Sequence, residues 1–140
     1  LLDLAADEAA MAAAHREGMD YDGLKAFIGT ADAPGRMQEL DGILGALLIL
    51  RYETVVRPEP MRWADWIAGQ WDKVATTLSH FEANLPGGRV DIGVITLASA
   101  LSYIDLRFPE HDWRGKYPGL AGWYATFEQR PSMQATELKG

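Results

Sequence analysis

The sequence predicts an all-α domain, and three observations carry that prediction. Apolar residues recur every three or four positions through two long stretches, 37–56 and 63–85. Prolines at 58, 60, 86, 109, 118 and 131 fall between stretches of helical character. No segment reads as an alternating, half-buried strand, and nothing repeats with a period of about 20 to 50 residues.

Taken in order, residues 3–17 are Ala-rich with high helix propensity and stop at Gly18, and 20–28 form a second short helix ending at Gly29. GTADAPG is then a linker. The spacing of Leu40, Ile43, Leu44, Leu47, Leu48 and Leu50 predicts a helix over 37–56, ended by Arg57-Pro58 because a residue before proline leaves the α region. Glu59-Pro60 opens the next helix. Its Trp63, Trp66, Ile67, Trp71, Val74, Leu78, Phe81 and Leu85 line one face until Pro86-Gly87-Gly88. A nearly all-apolar helix spans 90–106, which places it in the middle of a bundle. Counted as a helix, Gly88 falls at its N-cap and Asp91 at N3, where a carboxylate meets exposed N–H groups and the positive end of the dipole. After a loop containing Trp113 come a helix at 120–129, broken by Arg130-Pro131, and a last short one capped by Ser132 and reaching 138. Two parts result: 1–35, a helical extension and linker of unknown role, and 36–140, the helical domain.

A length of 140 residues supports one core rather than two. An apolar fraction of 48% with 24% charged residues is that of a soluble globular protein. The net charge of −7 disfavours nucleic acid and anionic membranes as partners. With no cysteine there is no disulfide, thiolate metal site or cysteine nucleophile. The three histidines are scattered and lack ligand spacing, so no metal is expected. Neither a signal peptide nor a spanning helix is read, which points to the cytoplasm. GxSxG, P-loop and GxGxxG patterns do not occur. The tryptophans at 63, 66, 71 and 123, at helical spacing, read as core or interface.

The stretch GGRVDIGVITLASALSYIDLRFP resembles the central helix of the C-terminal domain of glutathione transferases, where a capping box of the form S/T-x-x-D starts the helix. RMQELDGILGALLILRYE, RPEPMRW and WYATFEQRPSMQAT occur in the order seen in bacterial members. The resemblance implies the all-helical domain that binds the hydrophobic electrophile and helps form a dimer. Glutathione is then the co-substrate, and a hydroxyl or thiol in a separate thioredoxin-like domain activates it. Residues 1–35 are not read as such a domain. The chain alone is therefore expected to bind no cofactor, to hold no catalytic residue, and to pair with a second copy or a thioredoxin-like domain. The alternative is a stand-alone helical binding or assembly module.

By the same resemblance, the helix at 37–56 carries the candidate substrate-binding residues Asp41, Leu48, Arg51 and Tyr52. Asp41 falls near the dimer axis, where some members touch the neighbouring subunit's glutathione. Tyr52 and Leu48 fall on the wall of the electrophile pocket, with Arg51 facing an acidic group on the substrate. The residue-level readings stay open beside these: a solvated face for Asp41, and pairing of Arg51 with Glu53, Asp105 or Glu128. Asp91 reads as a cap before it reads as a catalytic base. His111, beside Asp112, reads as a solvated loop residue.

Overall fold

The computed structural model describes residues 36–88 and 90–137, with side chains from Glu39 onward, and every regular element among them is helical. The extension expected over 1–35 lies outside the described residues. Six α-helices follow one another: α1 Arg36–Arg51, α2 Ala64–Ala83, α3 Ile92–Arg107, α4 Trp113–Lys116, α5 Pro118–Phe127 and α6 Pro131–Ala135. A π turn, Tyr52–Val56, prolongs α1, and a 3-10 turn, Glu59–Met61, leads towards α2.

α1 and α2 form the principal pair, and α3 packs against α1. The pair is antiparallel, since Glu39 at the start of α1 meets His80 near the end of α2 (Nδ1 to Oε2 2.7 Å). The periodicity of α1 resolves cleanly into faces. Leu40, Ile43, Ala46, Leu47 and Leu50 are buried against Val74, Leu78 and Phe81 of α2 and Val94, Leu97, Leu101 and Ile104 of α3 in one apolar cluster. Leu120, Tyr124 and Phe127 of α5 extend the same cluster.

The start of α3 differs from the sequence expectation by three residues. Asp91 is itself the N-cap, in extended backbone (φ −128°, ψ 177°), and its Oδ1 accepts a hydrogen bond from Val94 N at 2.9 Å. Gly88 therefore lies before the helix and caps nothing, and the N3 position belongs to Val94. A short carboxylate reaches the N3 N–H from the N-cap, and this bond stands where a reciprocal capping box was expected.

Other corrections follow the same local logic. Trp63 is the residue before α2 rather than inside it, and it is 65% exposed. It stacks on Trp66, which is also exposed, at 6.5 Å between ring centroids, so this pair is not core. Trp71 and Trp123 are half-buried and pack against the core cluster. Trp113 begins a one-turn helix and is buried, its Nε1 donating to Asp105 Oδ1 at 2.7 Å. α6 starts from Arg130 with Pro131 at its first position, not from a Ser132 cap, and ends at Ala135.

Candidate functional site

The outer face of α1 concentrates the candidate residues because the core claims the opposite one. At about 100° per residue, Asp41, Gly45, Leu48 and Tyr52 fall within about 60° of one another, and Asp41 to Tyr52 spans about 16 Å. Leu44 is 37% exposed, Leu48 53% and Tyr52 57%, an apolar stripe turned away from the core. A Cβ on Gly45 would meet nothing within 4 Å, so the stripe is shallow at its centre. Asp41 lies at the exposed start of the stripe, and Arg51 at its edge is half-buried. All four sequence-identified residues thus share one side of one helix.

The π turn shapes the far end. Pro58 holds Arg57 in extended backbone, and Arg57 N donates to Tyr52 O at 2.8 Å, five residues back. Thr54 Oγ1 donates to Leu50 O at 2.7 Å. Glu53 turns inward and is gripped by Arg57, with Nη2 to Oε1 2.8 Å and Nε to Oε2 2.7 Å. Arg57 is raised above the ordinary arginine value, by the Glu53 hydrogen bond first and its charge second. Val55 and Val56 stay exposed and widen the stripe beyond Tyr52.

The carboxylates considered as partners for Arg51 are engaged elsewhere. Glu53 takes Arg57, and Asp105 takes Arg114 Nη2 at 2.7 Å, with Glu128 at 3.7 Å from the same nitrogen. That guanidinium also lies 4.8 Å from the Trp113 ring centroid and 5.1 Å from that of Tyr124. Asp105, Tyr124 and Glu128 border a cleft of about 680 Å³ between α3, α5 and α6, which also includes Ser99, Ser102, Met133 and Glu137. Sequence reasoning did not assemble it, because its residues come from elements far apart in the chain. Burial pushes the Tyr124 phenol above its ordinary value, opposed by a hydrogen bond with Ser102. The raised phenol stays neutral at pH 7, and Asp105 and Glu128 are held by Arg114, while Glu137 also borders the cleft.

His111 is not a solvated loop residue: it is half-buried and stacked on Trp71, with centroids 4.3 Å apart and planes 4° apart. Burial lowers it below its ordinary value, Lys116 adds to the lowering, and Glu110 and Asp112 oppose it. Among the described residues no three His, Asp or Glu side chains come together as a metal site, and no helix is long and apolar enough to cross a membrane.

A family model described as the glutathione S-transferase C-terminal domain matches residues 64–126. A solved structure of a glutathione transferase family member from Pseudomonas fluorescens Pf-5 shares 37% identity over 77% of this chain, with a TM-score of 0.70. The chain belongs to the glutathione S-transferase family. That relative was solved with S-(propanoic acid)-glutathione, and a further structure from the same organism, at 36% identity and TM-score 0.70, holds glutathione. A glutathione S-transferase from Methylobacterium radiotolerans JCM 2831, in complex with glutathione sulfonate, is 30% identical over 87% of this chain with a TM-score of 0.69. The chain covers 60%, 58% and 57% of the chains in these three structures, so it spans little more than half of a glutathione S-transferase of that kind. A search of curated proteins found no significant match.

Proposed function

We propose that the outer face of α1 is one wall of the electrophile pocket of a glutathione transferase, with a second subunit against its Asp41 end. The observation that carries this reading is the exposed stripe of Leu44, Leu48, Tyr52 and Val55 on a helix whose other side is fully buried. An apolar surface of that length on a charged, acidic domain favours burial against a partner or an apolar ligand. In this reading Leu48 and Tyr52 contact the electrophile, Arg51 faces an acidic group on it, and Asp41 faces glutathione of the neighbouring subunit. Relatives that hold glutathione or an S-substituted glutathione support the ligand class.

Activation of the glutathione thiol belongs to a thioredoxin-like domain in this reading, so residues 1–140 alone are expected to conjugate none. The test joins residues 36–140 to a glutathione-binding thioredoxin-like domain and measures conjugation of an apolar electrophile. Tyr52→Ala and Leu48→Glu are expected to raise KM for the electrophile several-fold and leave KM for glutathione unchanged, as loss of one pocket wall requires. A folded, active fusion whose electrophile KM ignores both substitutions refutes the assignment. Saturable turnover by residues 1–140 alone refutes the division of labour.

A further inference from the structure

Away from the α1 face, the turn before α3 and the end of α5 flank a second, open-mouthed cavity of about 320 Å³, bordered by Gly88, Val94, Trp123, Thr126, Phe127 and Arg130. Its character differs from that of the polar cleft. Arg130 is the one charged side chain among the described residues that border it, and no carboxylate does. The Arg130 guanidinium lies over the Phe127 ring, Cζ 5.2 Å from the centroid, and its Nη2 is buried with no hydrogen-bond partner. The backbone at this residue is fixed on both sides, N donating to Phe127 O at 3.1 Å and O accepting from Gln134 N at 3.1 Å. The Thr126 hydroxyl is already turned to Gly122 O.

A guanidinium stays charged at any physiological pH, and a buried donor without an acceptor is destabilising. Among the described residues, Arg114 is also packed on aromatic rings and has carboxylate partners, whereas Arg130 has none. We infer that this cavity binds a small aryl carboxylate, its anionic group on Arg130 and its ring between Trp123 and the wall formed by Val94. The volume suits one or two fused rings, and the pairing of apolar walls with a single polar anchor is that of a small-molecule site. The site is separate from the proposed electrophile wall on α1 and does not depend on it.

The test is calorimetric titration of the full 140-residue chain with 2-naphthoate and, separately, with the uncharged 2-naphthamide. The carboxylate is expected to bind at least about tenfold more tightly than the amide, the difference a charge-assisted pair makes. Arg130→Met keeps the apolar stem and is expected to erase that preference, while Thr126→Trp, which fills the cavity, is expected to weaken both ligands. Glutathione is expected not to compete. Equal affinity for acid and amide, no binding of either up to millimolar concentration, or a preference surviving Arg130→Met overturns the inference. Should Arg130→Met fail to fold by circular dichroism, the acid–amide comparison and Thr126→Trp decide it alone.

Discussion

Removal of the Glu82 carboxylate is expected to loosen the whole second half of the bundle. α5 opens with Tyr117 at its N-cap, which makes no side-chain cap bond, and Pro118, which has no N–H to give. The first-turn donors of Gly119 and Leu120 are satisfied from α2: Gly119 N donates to Glu82 Oε1 at 2.9 Å and Leu120 N to Oε2 at 2.7 Å. The next N–H, of Ala121, returns to Tyr117 O at 2.9 Å. One carboxylate thus serves every otherwise orphaned donor of this helix start and ties α5 to the end of α2. Leu120 is fully buried, so water does not replace its acceptor, whereas half-buried Gly119 is more open. Charge-assisted bonds of this kind contribute about 1.5–3 kcal/mol, so Glu82→Ala is expected to cost about 2–3 kcal/mol in urea unfolding. For a domain of this size that lowers the thermal midpoint by about 10 °C or more. Glu82→Gln, which keeps one acceptor and turns a donor on the other N–H, falls between. An added Cβ on Gly119 would lie 3.0 Å from Glu82 Oε1, so Gly119→Ala is expected to cost more in the parent than in Glu82→Ala. A Glu82→Ala protein within about 0.5 kcal/mol of the parent refutes the reasoning.

Three further outcomes are expected. Asp91→Ala removes the acceptor of Val94 N and costs about 1–2 kcal/mol in urea melts, whereas Gly88→Ser, outside the helix, leaves stability unchanged; equal effects at the two positions contradict the cap. His111 is lowered below its ordinary value of 6.5, so the unfolded chain takes up the proton first. Its contribution to stability is then full above pH 6.5 and is lost as pH falls through the lower folded value, and His111→Gln flattens the stability-against-pH curve in that window. Gly45→Ala, with open space for its Cβ, is expected to stabilise the isolated chain by about 0.5–1 kcal/mol, read as a higher urea midpoint.

What the sequence made legible is what depends on spacing along one element. Leu40, Ile43, Leu47 and Leu50 recur at helical intervals, so the buried side of α1 and therefore its outer side were readable. Pro58 and Pro86 marked boundaries because proline constrains its own residue and the one before it. The cap of α3 was misplaced by three residues because aspartate suits both N-cap and N3, and only the extended backbone at Asp91 tells them apart. The π turn was not legible either. Its inserted residue goes with the Arg57 grip on Glu53, which a heptad count does not see. Trp63 and Trp66 satisfy the apolar period yet lie at an uncovered end of α2, where periodicity without a neighbouring element buries nothing. Glu82 and Arg114 act across contacts between different elements, and no local pattern announces them.

The claim that the outer face of α1 is the electrophile wall is tested most directly by a crystal structure of the residue 36–140 fusion with S-hexylglutathione. The account predicts the hexyl chain packed on Leu48 and Tyr52, within van der Waals distance of both. A hexyl chain seated instead in the cleft beside Ser102 and Tyr124, with the α1 stripe touching no ligand, contradicts it.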